Sequence, residues 1–172
     1  RSMAEAVTYS FLSSQHALLF GGGKDELKLV NPISSDLDEM RPSIIPNLIS
    51  SALKNSNMGN SDIAIFEVGP QYADASAEGQ KVVAAGIRTG QTAARHWSNV
   101  SRSVDVFDVK GDVVALLEVL KVPVANLQTT VDAPNWYHPG RSGVLRLGPN
   151  ALAYFGEIHP TVLRGMSVDN PI

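Results

Sequence analysis

The sequence contains no cysteine, so disulfide staples and zinc–thiolate centres are both excluded, which fits a cytoplasmic location. No apolar run approaches the roughly 20 residues needed to cross a bilayer, so no membrane partner is expected. Nor does an apolar stretch follow Arg1, as a secretion signal would require. Charged residues make up only 18%, and the 14 Lys and Arg are scattered singly. With a net charge of -3, that scatter argues against a stand-alone nucleic-acid binder, whose affinity comes from clustered cations on phosphates. Trp97 and Trp136 are isolated in the sequence and too few to build a base-stacking platform. There is no internal repeat and no low-complexity tract. What is present is a chain of 172 residues, 44% of them hydrophobic, enough to bury a core and too uncharged for disorder. It opens almost inside a strand and stops at "VDNPI" without a closing element. Residues 1–172 therefore read as a single module of a longer chain.

Periodicity gives the element order. "EAVTYSF" (Glu5–Phe11) is rich in β-branched and aromatic residues and predicts a strand. A short helix over "SSQHALLF" stops at three glycines, and "LKLVNP" predicts a brief strand closed by Pro32. From Pro42, apolar residues at Ile45, Leu48, Ile49, Ala52 and Leu53 have helical spacing, with Pro46 in the first turn and Gly59 as the stop. "DIAIFEVGPQYADA" and "KVVAAGIRTG" predict two strands joined by the turn "DASAEG". "TAARHWSNVSRSV" has no period and reads as a surface connection. "DVFDVKGDVVALLEVLKV" predicts a helix capped by Asp108 or Asp112, burying Val113, Val114, Leu116, Leu117 and Leu120. Strands over "NLQTTVDA", "GVLRLG" and "ALAYFGEI" follow, the last two joined by a hairpin at "PNA", and "HPTVLRGM" closes as a helix. Hairpin neighbours outnumber βα alternations, so the expected class is α+β on a largely antiparallel sheet.

Few residues suggest chemistry. "GGGK" (Gly21–Lys24) lacks the phosphate-loop spacing and reads as a glycine-rich turn. His16, His96, His138 and His159 form no metal-ligand spacing, and no serine nucleophile motif exists. "YHPGRSG" (Tyr137–Gly143) places His138, Arg141 and Ser142 on a turn before a strand, the most site-like passage in the chain. The structural alternative is an Arg141 that meets a neighbouring carboxylate. Glu157 and His159 share a face at a strand end, either as a carboxylate–imidazole pair or as structural hydrogen-bonding groups. Arg41, between Met40 and Pro42, is expected to pair with an acid such as Asp36 or Asp38 rather than a ligand. From residues alone, no catalytic or metal-binding set emerges. A rival reading is a small-molecule-binding or hydrolytic domain. It requires His138, Arg141, Glu157 and His159 to converge in one pocket with perturbed titration.

Six passages carry more information together than singly. "VTYSF", "NPISSDLDEMRPSIIPNLI", "IFEVG", "FDVKGDVVALLE", "HPGRSG" and "FGEIHPTVL" occur in the order and spacing of one family. From about Glu5 to Val168 the chain resembles the central module of the bacterial phenylalanyl-tRNA synthetase β subunit. That resemblance implies a class II aminoacyl-tRNA synthetase-like antiparallel sheet flanked by helices, a catalytic domain stripped of its catalytic residues. The second class II motif sets an arginine after an aromatic residue, with an acid two positions on, to grip the ATP α-phosphate. Against it the sequence places Tyr72 at the aromatic, Ala73 at the arginine and Ala75 at the acid. The third motif has no counterpart. By the same resemblance, Met40-Arg41-Pro42 is a fixed connector that shapes the surface facing a partner.

The resemblance further implies an (αβ)₂ ligase that attaches phenylalanine to tRNA(Phe), with ATP and Mg²⁺ bound by the α subunit. This module would take no cofactor and would be inactive alone. The α subunit is its expected partner, and tRNA(Phe) is reached through other modules. Arg41, Tyr72, His138, Arg141, Glu157 and His159 are the interface or structural candidates. An apolar patch should remain exposed for docking.

Overall fold

The computed structural model describes residues 2–93, 97–98 and 101–172. Its central helix, α2 (Ile45–Asn57), shows how the sequence builds the core. Pro46 sits in the first turn, where a missing N–H costs nothing, and the Ser43 hydroxyl accepts a hydrogen bond from Ile45 N at 3.2 Å. Leu48, Ile49 and Ala52 are buried on one face. At its far end Gly59 takes a left-handed φ of 92°, and Asn60 N closes back on Asn55 O at 3.1 Å. Leu48 and Ala52 pack with Ile44, Ile63 and Ile87, whereas Ile49 packs with Phe20, Tyr137, Ile158, Val162 and Leu163. One helix thus joins two core clusters. Burying a Leu or Ile side chain contributes about 1.5–3 kcal/mol, so α2 is a main source of stability.

Around it, among the described residues, lie eight strands. β1 (Ala4–Glu5) pairs parallel with β4 (Ile63–Tyr72), which forms a ten-residue antiparallel hairpin with β5 (Gln80–Thr89). β2 (Phe11–Leu12) pairs with β3 (Glu39–Met40), flanking the short helix α1 (Ser14–Leu19). β6 (Gln128–Thr130), β7 (Tyr137–Leu147) and β8 (Asn150–Ile158) form an antiparallel sheet. Helix α3 (Val106–Val119) covers β8, burying Leu117 against Leu145 and Phe155. Helix α4 (Pro160–Gly165) completes the first cluster through Val162 and Leu163. Among the described residues no helix is long and apolar enough to cross a membrane.

The α+β class and most elements agree with the sequence reading, and the departures have physical causes. The expected largely antiparallel sheet is divided, among the described residues, into three sheets, one of which includes a parallel pair. Glu5–Phe11 is not one strand, because Thr8 and Tyr9 turn aside to serve a buried arginine. In place of the strand at "LKLVNP" there is a 3-10 turn at Asp25–Leu27 and one bridge from Lys28 to Glu39. The α3 cap is Asp105, whose carboxylate accepts from Phe107 N and Asp108 N. Asp108 closes the capping box from within the helix. Asp112 instead meets Arg88. Leu116 and Leu120 face out, and the buried stripe centres on Leu117. "NLQTTVDA" contributes only the three residues of β6. "YHPGRSG" is not a turn before a strand but the irregular first half of β7. There the register shifts between Tyr137↔Ile158 and Ser142↔Gly156, since Pro139 has no N–H to donate. Of the aperiodic connection, residues 94–96, 99 and 100, His96 among them, lie outside the described residues.

Candidate functional site

Arg41 leaves β3 directly into the loop before α2, and its side chain is 1% exposed. A buried guanidinium needs partners for its fork of donors, and it finds them. Nε donates to Pro70 O at 2.8 Å, and Nη1 donates to Thr8 Oγ1 at 2.9 Å and Tyr9 O at 3.4 Å. Nη2 lies 2.9 Å from Glu67 Oε1, and Thr8 Oγ1 donates to Glu67 Oε2 at 2.7 Å. The backbone joins in, with Arg41 N on Ser10 O and Tyr72 N on Arg41 O, both at 3.0 Å. Gly69 is required beside it, because a Cβ there would stand 2.7 Å from Nη2. The cluster ties the N-terminal segment, the start of α2 and the middle of β4 into one unit. No donor of this arginine points toward solvent, so it is a clasp and not a ligand site.

The expected partners Asp36 and Asp38 are therefore replaced by Glu67. Asp38 instead accepts from Ser14 N at 2.7 Å and Ser14 Oγ at 2.9 Å, and these bonds hold its carboxyl below the usual range. The sequence did carry a signal for Glu67. Alternation along "IAIFEVG" puts it on the same face as Ile63 and Ile65, where an acid needs a buried cation.

Tyr72 ends β4, half-buried, opposite Gln80. Ala73 starts the turn, its N–H on Gly79 O at 2.9 Å, and its carbonyl accepts from Lys24 Nζ at 2.6 Å. The glycine-rich turn is thus spent on structure, since Gly23 N also donates to buried Glu39 Oε1 at 2.7 Å. Ala75 is exposed in the same turn.

The other four candidates form two pairs. Arg141 grips Glu157 with two bonds, Nε–Oε2 at 2.5 Å and Nη2–Oε1 at 2.7 Å, which hold the guanidinium further toward its charged form. His138 and His159 stack with ring centroids 6.2 Å apart. His138 Nδ1 accepts from Gly140 N and His159 Nδ1 accepts from Thr161 N, each at 3.1 Å, so His159 caps α4. Arg141 meets a neighbouring carboxylate, and Glu157 pairs with Arg141 rather than with His159. A groove of about 350 Å³ lies between β5 and β8, lined by Arg88, Thr89, Gly156, Glu157, Pro171 and Ile172. Of the four candidates only Glu157 reaches it. Among the described residues no three His, Asp or Glu side chains are placed to hold a metal ion.

Several large apolar side chains are exposed. Val68 and Val82 stand exposed on the outer face of the β4–β5 hairpin, and Phe107, Leu116, Val119 and Leu120 on α3.

All 172 residues match the family described as the phenylalanyl tRNA synthetase beta chain CLM domain. The chain is 53% identical over 172 residues to the phenylalanine–tRNA ligase beta subunit of Rhodospirillum rubrum, and 46% to that of Paramagnetospirillum magneticum. In both cases the match covers 100% of this chain and 22% of the relative, so the chain spans about a fifth of their length. A pyrrolysyl tRNA synthetase structure from Desulfitobacterium hafniense aligns with a TM-score of 0.66 at 13% identity, covering 98% of this chain and 55% of that one. A second structure of a pyrrolysyl-tRNA synthetase from that organism gives 0.59 at 14%, covering 98% and 58%. At that identity the likeness establishes the fold alone, which is the class II synthetase fold.

Proposed function

The chain belongs to the phenylalanyl-tRNA synthetase beta chain family, and from that premise we propose that it is a non-catalytic, class II synthetase-like module. It supports ATP-dependent attachment of phenylalanine to tRNA(Phe) by pairing with the catalytic α subunit in a cytoplasmic (αβ)₂ ligase. The observation that carries this reading is the β4–β5 turn. A class II ATP clamp needs an unencumbered cation aimed where the α-phosphate sits. Here position 73 is alanine, and the nearby cation, Lys24, is bonded to the Ala73 carbonyl. These residues do not fit an ATP phosphate, so adenylation chemistry is assigned to the α subunit. tRNA(Phe) is assigned to other parts of the longer chain.

Two of the ion pairs near the sheets support a scaffold rather than a site. Arg41–Glu67 is sealed in the interior, and Arg141–Glu157 straps β7 to β8. The exposed valines and leucines of the β4–β5 hairpin and α3 are suited to burial against a second protein.

Titration of this chain with the cognate α subunit, followed by light scattering, is expected to give a saturable complex of defined mass. A folded chain that leaves the mass of the α subunit unchanged overturns the scaffold role. Calorimetry of the chain alone with ATP and with phenylalanine is expected to be silent. Stoichiometric heat in either titration would favour a retained ligand pocket instead.

A further inference from the structure

No further inference is drawn: the strongest candidate, the groove between the open edges of β5 and β8 lined in part by Pro171 and Ile172, could only be read as room for a strand joining the two sheets, which restates an established property of the class II synthetase fold.

Discussion

Replacing Arg41 by methionine keeps most of the buried volume and removes the charge, which makes it the sharpest test of how this domain is held together. The substitution strands the Glu67 carboxylate, 3% exposed, with the Thr8 hydroxyl as its one remaining side-chain partner among the described residues. It also leaves the Pro70 and Tyr9 carbonyls without their guanidinium donors. Removing one partner of a buried pair costs about 3–5 kcal/mol, a large share of the 5–15 kcal/mol that a domain typically has. Urea denaturation followed by circular dichroism reads this directly. With a slope of about 2 kcal/mol/M, the midpoint should fall by roughly 2 M. Glu67→Gln also breaks the pair, leaving the Arg41 guanidinium buried without its counter-ion. It should destabilise by a similar amount, moderated because the amide oxygen can still accept from Nη2. The double variant Arg41→Met/Glu67→Met separates pair from packing. Its loss should be smaller than the sum of the single losses by about 2 kcal/mol, since no charge is left buried alone. A midpoint shift below about 0.5 M for Arg41→Met, or strict additivity in the cycle, would refute the clasp argument.

Three other outcomes follow from local geometry. Gly69→Ala would press a methyl to 2.7 Å from Arg41 Nη2 and 3.2 Å from Glu67 Oε1, and should cost about 1–3 kcal/mol in the same assay. A neutral effect would mean that the cluster is looser than its distances. Arg102, through two 2.7 Å hydrogen bonds, lowers the Asp108 carboxyl from 3.8 to about 2. A depressed acid contributes stability above its unfolded value and loses it as the pH falls through the folded one. Asp108→Asn should therefore lower stability by about 1 kcal/mol at neutral pH, screening by solvent at half-exposed Arg102 included. The difference should shrink as pH falls from 4 toward 2, and a constant difference across that range would count against the pairing. Burial pushes the Tyr137 hydroxyl up to about 12. Of the four tyrosines, its phenolate absorbance should appear only near that pH or on unfolding, and complete ionisation below it would refute the packing around Tyr137.

The elements that were legible in the sequence are those whose pattern is long and local. Helix α2 announces itself through five apolar residues at helical spacing, a proline in the first turn and a glycine at the end. The β4–β5 hairpin is equally plain, with two ten-residue strands around "DASAEG". Short or edge elements were less so. β1 and β2 are two residues each, and a strand-like stretch was broken because Arg41 competes for Thr8 and Tyr9. The cap of α3 was misplaced by three residues, because Asp105, Asp108 and Asp112 all suit a helix start and only the backbone decides which is outside.

The sequence by itself determined the α+β class, the core helix, the long hairpin and the family, because each rests on residues close together or on an ordered set of passages. It also set tyrosine at position 72 and alanine at positions 73 and 75, side chains that carry no cation. Only the tertiary structure decided the partners. Arg41 meets Glu67 twenty-six residues on, Lys24 reaches Ala73, and Arg141 straps Glu157, none of which periodicity can reveal. Charges pair across whichever surfaces the burial of Leu48, Ile49 and Leu117 brings together, so the polar contacts follow the packing of the apolar core.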